Sequence, residues 1–152
     1  MSAQPAGNPY HGLREMALSL TADQIGIAAT PERPNAWGAM MEIGFAEGRV
    51  TLVALLDRTV SLYLSNGGGI IGGGAHERVW TPALAFIDAA DRALGRFALS
   101  DVRSLPGAGR VRFFAHTYAG LMTAEASDAE VAGGAHALSA LFFGGNSVVA
   151  AL

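Results

Sequence analysis

Apolar positions along this chain recur with two different periods, and the alternation between them predicts its elements. Over residues 11–25, Leu13, Met16, Ala17 and Leu20 fall three or four apart while Arg14, Glu15 and Ser19 face elsewhere, the signature of a helix with one apolar side. Pro31 and Pro34 then enforce a loop. The period drops to two over residues 37–45, with Trp37, Ala39, Met41, Ile43 and Phe45 on one face. A turn at Ala46-Glu47-Gly48 leads to a second strand over 49–56. Asp57-Arg58 makes a hairpin connection to a third, in which Val60, Leu62 and Leu64 oppose Ser61 and Tyr63.

The helical period returns between His76 and Phe97, carried by Val79, Trp80, Ala83, Leu84, Ile87, Ala90 and Leu94. Its start is either His76-Glu77, with Pro82 inside the helix, or Thr81-Pro82; the earlier start is preferred. Residues 104–109 read as a loop and 110–117 as a strand, with Val111, Phe113, Ala115 and Thr117 on one face and Arg112, Phe114 and His116 on an exposed one. A turn at Tyr118-Ala119-Gly120 leads to a strand over 121–126. Ser127 and Glu130 form a capping box for a last helix whose apolar face is Val131, Ala135, Leu138, Leu141 and Phe142, with His136 on its polar side. Gly144-Gly145 is expected to end it before an apolar tail, 146–152.

The order is helix, three strands, helix, two strands, helix. It predicts an α+β fold in which one five-stranded, mainly antiparallel sheet carries three packed helices. Residues 1–9 read as a flexible tail and 10–152 as a single globular domain. In element order the chain loosely resembles profilin-like and roadblock-like domains, but roadblock domains place two strands before the second helix where this chain places three. Ser65-Asn66, the following glycine run and Ala75-His76-Glu77 resemble a segment of uncharacterised bacterial proteins, a resemblance that implies no activity.

Composition sharpens the picture mainly by exclusion. The chain has 152 residues, 51% hydrophobic and 15% charged, with a net charge of -3. The charged fraction is below the roughly 25% usual for soluble domains, and the apolar surplus points to a homo-oligomer, most simply a dimer. All ten basic residues are arginine, so Walker A, Schiff-base and kinase lysines are excluded; the lack of cysteine removes thiolate nucleophiles and cysteine-held metals. No basic stripe suggests nucleic acid, no apolar run is long enough to cross a bilayer, and no secretory signal is recognisable, so the expected location is the cytoplasm. No cofactor or metal is called for by any motif.

The strongest candidate feature is Gly67-Gly68-Gly69-Ile70-Ile71-Gly72-Gly73-Gly74, between a strand and a helix. Gly67, Gly69 and Gly72 satisfy the G-x-G-x-x-G spacing by which bare backbone amides can hold phosphate. The candidate ligand-binding set is therefore Gly67, Gly68, Gly69, Gly72, Gly73, Gly74 and His76. Against it, the preceding strands form a meander, and the acidic candidates Asp88 and Asp91 fall inside a helix instead of after a second strand. The competing reading is structural: the glycines reverse the chain and send Ile70-Ile71 into the core or a subunit contact. His76-Glu77 lacks the H-E-x-x-H pattern, because Trp80 stands where the second ligand would be, and Ser65 lacks a nucleophile elbow. His116 with Arg110 or Arg112 is a second, weaker anion-binding candidate. No catalytic set is complete, so whether the protein is an enzyme is left open. The sequence favours a non-catalytic binding or assembly module, with the alternative a nucleotide- or phosphometabolite-binding protein or enzyme using residues 67–74.

Overall fold

A computed structural model describes residues 8–100 and 103–152 of the chain. The tail expected at 1–9 lies outside the described residues as far as residue 7. Asn8 is tied down, donating from Nδ2 to the Ser65 carbonyl and accepting from the Tyr10 amide.

The fold is α+β, with an antiparallel sheet of seven strands and four α-helices among the described residues. In chain order these are α1 (Tyr10–Ser19), β1 (Ala36–Gly44), β2 (Arg49–Leu55), β3 (Val60–Leu64), β4 (Gly69–Ile70), α2 (Glu77–Arg92), β5 (Ala98–Leu99), β6 (Arg110–Thr117), β7 (Gly120–Ser127), α3 (Asp128–Ala132) and α4 (Ser139–Ala151). The sheet order is β4-β3-β2-β1-β6-β7-β5. The five long strands match the alternating segments of the sequence. The two additional ones have two residues each and hydrogen-bond at the outer edges, too short to produce a period of their own.

β1 is central and buried at all nine positions, so both faces of the sheet need cover. On one face α2 and α4 pack over Met41, Leu52 and Phe113 through Phe86, Ile87, Leu141 and Val148. On the other, α1 covers Met40, Val53, Leu55 and Phe114 through Tyr10, Ala17 and Leu18. Trp37 joins this second core although it alternates in sequence with Ala39 and Met41 of the first. A register shift between Ala36 and Gly38 in the β1–β6 pairing breaks the two-residue period there.

The burial of α1 differs from the expected stripe. Met16 is 61% exposed, while Arg14, expected to face solvent, is buried. Arg14 Nε and Nη2 donate to the two carboxylate oxygens of Glu42 at 2.5 and 2.9 Å, and Glu42 is fully enclosed on β1. Thr51 donates to Glu42 Oε2 at 2.7 Å, and the Tyr10 hydroxyl lies 2.8 Å from Thr51 Oγ1. The helix is therefore seated by a closed polar network as well as by apolar contact. A periodicity argument misses this because it treats every arginine as solvent-facing.

The last helix is corrected in two ways. Ser127 does cap α3, accepting from the Glu130 amide, but the helix stops after one turn. Gly134 has φ +89°, and His136 falls in the connection to α4, its Nδ1 accepting from the Leu138 amide, instead of on a helical polar face. Gly144-Gly145 then does not terminate α4, which continues through the supposed apolar tail to Ala151. These glycines sit at a packing contact: a Cβ on Gly145 would lie 2.6 Å from Met41 Sδ and one on Gly144 3.7 Å from Phe86 Cδ1. Elsewhere the earlier start of α2 holds, with Pro82 inside the helix. Its Asp88 grips Arg33 with both carboxylate oxygens, and Asp91 accepts from the Ala36 amide, so both acids anchor the Pro-rich loop and the start of β1.

Two stability outcomes follow from this packing. Replacing Arg14 by Leu leaves the Glu42 carboxylate enclosed without its counter-charge and should cost about 3–5 kcal/mol in urea unfolding, whereas R14L/E42L should recover most of that loss. Gly145→Val should cost about 1–3 kcal/mol by overpacking against Met41, while the same change at Gly12, with open space around its Cα, should leave the core packing undisturbed.

Candidate functional site

The glycine run begins as the far side of a β-hairpin. The Gly67 amide donates to the Leu64 carbonyl and the Leu64 amide to the Gly68 carbonyl, with Gly67 at φ +100°, the arrangement of a three-residue loop closed by a glycine bulge. Ser65 and Asn66 act locally, as their residue types suggest: Ser65 Oγ accepts from the Arg49 amide and Asn66 Oδ1 from the Gly68 amide. The chain then forms β4 along β3, pairing Gly69 with Tyr63 and Ile70 with Leu62. A Cβ on Gly69 would run into the Leu62 carbonyl oxygen, so close backbone approach accounts for this glycine. Gly73 and Gly74 are buried where the chain turns into α2, and a Cβ on Gly74 would collide with the Arg58 carbonyl.

The seven candidate ligand-binding residues are thus distributed along an edge and a turn. Gly67, Gly68 and Gly69 belong to the hairpin, Gly72 precedes the buried pair, and His76 is exposed at the N-cap of α2. The amides of Gly67 and Gly68 are taken up inside the hairpin, and that of His76 by the Gly73 carbonyl. A cleft of about 220 Å³ beside the run is lined by Phe45, Arg49, Leu64, Ser65 and Asn66, one residue short of the first glycine. At the far end, Glu77 pairs with Arg58 at 2.7 Å.

Ile70 and Ile71 do not enter the core. They are 41% and 70% exposed. Because Leu64 and Gly68 are hydrogen-bonded across the hairpin, the alternation of an antiparallel ladder leaves 63 and 69 as a non-bonded pair, and the Gly69 N–H and C=O point away from β3. No charged residue stands between Arg58 and Glu77. The edge is therefore apolar, uncharged and open for pairing.

The second candidate, an anion patch on an exposed face at His116, is overturned. Glu125 engages both arginines, accepting from Arg110 Nε at 2.9 Å and from Arg112 Nε at 3.1 Å. His116 is 2% exposed, enclosed under α1 against the Trp37 ring, with 4.7 Å between centroids. Its Nε2 lies 2.9 Å from the Ala17 carbonyl, which can only accept, so Nε2 carries the hydrogen and Nδ1 is a bare lone pair. Burial lowers the pKa of this ring from 6.5, the Ala17 carbonyl opposes it and Arg103 adds to the lowering, for a net value of about 4. Two-residue alternation placed His116 on the correct face; what it lacked was the helix that covers that face.

His116 also lines a larger cleft, about 470 Å³, between the segment that follows α1 and the β6–β7 turn. Trp37 and Leu18 share its buried part with His116, and Tyr118 and Leu121 close the hairpin side. The Tyr118 hydroxyl is desolvated, which raises its pKa and keeps it protonated at neutral pH. Among the described residues, no cluster of three or more His, Cys, Asp or Glu side chains is arranged to hold a metal, and no helix is long and apolar enough to cross a membrane. Comparison of the chain with protein-family models, curated proteins and solved structures gives no match.

The buried histidine sets a pH dependence. The unfolded chain takes a proton on His116 below about pH 6.5, while the folded chain resists it until about pH 4. The stability associated with neutral His116 is therefore complete above about pH 6.5 and lost as pH falls through that window, by about 3 kcal/mol in total. Urea unfolding at intervals from pH 7 to 4 should show this slope, and His116→Gln, which keeps a donor for the Ala17 carbonyl without titrating, should flatten it relative to the parent.

Proposed function

We propose that this chain is a non-catalytic assembly module that joins a second copy of itself through the β4 edge. The observation that carries this reading is the adjacent pair Ile70 and Ile71, exposed on an edge strand whose outward Gly69 amide and carbonyl are available for pairing. Natural edge strands are guarded by charge or proline, and this one has neither. The opposite edge is less suited: β5 exposes Leu99 but lies close in sequence to Arg96 and Arg103. A two-fold pairing of β4 with β4 is self-complementary and closed, and it would cover both isoleucines while continuing the antiparallel sheet.

The apolar surplus supports only part of this assembly argument, since a sheet covered on both faces already absorbs much of it in two cores. The weight falls on the edge itself. The alternative of a nucleotide or phosphometabolite held by residues 67–74 draws no support from the amides of Gly67 and Gly68, which are spent on the hairpin.

The reading makes a direct prediction for solution size. Multi-angle light scattering of the parent at micromolar concentration should give twice the chain mass of 15.6 kDa. Ile71→Lys, which places an unpaired charge at the edge, should give the monomer with an unchanged far-ultraviolet circular dichroism spectrum. A parent that is monomeric throughout, or a dimer indifferent to I71K, refutes pairing through β4.

A further inference from the structure

Two β4 strands can meet about a two-fold axis in several registers, and the backbone of this edge separates them. In the β3–β4 hairpin, Leu64 with Gly68 and Leu62 with Ile70 are the hydrogen-bonded pairs, so Gly69 directs its N–H and C=O outward. The same alternation carried past the end of the ladder turns Ile71 outward. Neither backbone group of Ile71 has a backbone partner among the described residues.

The sequence around the pair reads the same in both directions: three glycines, two isoleucines, three glycines. That symmetry invites a register with Ile70 opposite Ile71 of the second copy. The amides exclude it, because Ile70 turns its own toward Leu62, and an inward residue would then face an outward one. Both members of a bonded pair must be outward, which leaves Gly69 against Gly69, Ile71 against Ile71, or Gly69 against Ile71. The first sets Ile71 opposite Gly67, whose amide is bonded to the Leu64 carbonyl and whose φ is +100°. The second sets Gly69 opposite Gly73, which is buried in the turn into α2. Each of these yields one bonded pair. The third yields two, Gly69 with Ile71 and Ile71 with Gly69, and so makes twice as many backbone hydrogen bonds as either alternative.

We infer that, resting on the assembly through β4, the two copies pair with Ile70 against Ile70 at the two-fold axis and with Ile71 of each copy over Gly69 of the other. The side chains fit this register. Ile70, as the partner of Leu62, stands on the side of the sheet that α2 and α4 cover, and Leu62 packs against the core there. A non-bonded antiparallel pair brings its Cα atoms to about 4.5 Å, close enough for two isoleucines to cover each other. Ile71 projects on the opposite face, where Gly69 of the second copy has no side chain to obstruct it. Gly72 and Gly68 come next in line and add no bulk between the strands.

The chain has no cysteine, so one introduced thiol reports one pairing. Ile70→Cys, oxidised with copper phenanthroline, should form a disulfide-linked dimer at least about tenfold faster than Ile71→Cys, whose two copies are offset by two residues and lie beyond the roughly 7 Å Cα separation that a disulfide spans. The parent itself gives a second measurement, which stands even where a cysteine variant weakens the dimer. In a mixture of carbon-13-labelled and unlabelled chains, filtered NOE spectra should join the Ile70 methyls across copies and the Ile71 methyls to Gly69 Hα of the other copy. I71C cross-linking as fast as I70C, or a dimeric parent without those two contacts, overturns the register while leaving β4 pairing intact. A monomeric parent, or a dimer indifferent to I71K, removes the assembly and the register with it.

Discussion

The enclosure of β1 is the constraint on which the rest of the molecule depends. A central strand with nine buried residues has no solvent face, so each side of the sheet must be covered by something held there. On one side the cover is a pair of helices packed through large apolar side chains. On the other it is a single ten-residue helix, too short to be stable alone in water, and Glu42 lies directly beneath it. The buried carboxylate has Arg14 as its counter-charge, and Arg14 is presented by that helix alone. The ion pair thus makes the position of α1 specific, whereas apolar contact by itself would tolerate sliding.

That cover determines where chemistry can occur. Because α1 reaches only as far as Ser19, the sheet beyond it is roofed by an extended segment and a 3-10 turn, and a cleft opens over Trp37 and His116. The Ala17 carbonyl, in the final turn of the helix, has no helical partner to satisfy it fully and takes the imidazole N–H. Helix end, histidine tautomer and cleft are consequences of one helix length. The β4 edge, at the far side of the sheet, is governed by different physics: an unguarded ladder and two exposed isoleucines.

The glycine run shows how a conspicuous sequence feature can have an ordinary cause. Its spacing satisfies a phosphate-loop formula, yet Gly67 closes a bulge, Gly69 lets β4 approach β3, and Gly74 passes against the Arg58 carbonyl. These three glycines have local backbone reasons, and what remains unexplained by the fold is the isoleucine pair within the run. The residues of the cleft carried no comparable signal. Trp37 lies far in sequence from His116 and Tyr118, and the three belong to no motif. Only the central β1–β6 pairing, which sets Gly38 opposite His116, brings them together.

The sequence by itself determined what depends on neighbours along the chain. The two apolar periods located five strands and the long helix, Ser127 and Glu130 marked a capping box, and the prolines at 31 and 34 marked a loop. Tertiary structure decided whatever depends on a partner distant in sequence. Gly144-Gly145 reads as a helix stop until Met41 and Phe86 are seen to need that space, and Arg14 reads as a surface residue until Glu42 is set beneath it. His116 reads as solvent-facing until α1 is laid across the sheet. Periodicity reports which side of an element a residue occupies, but burial is a property of what lies opposite, and that is fixed only when the whole chain closes.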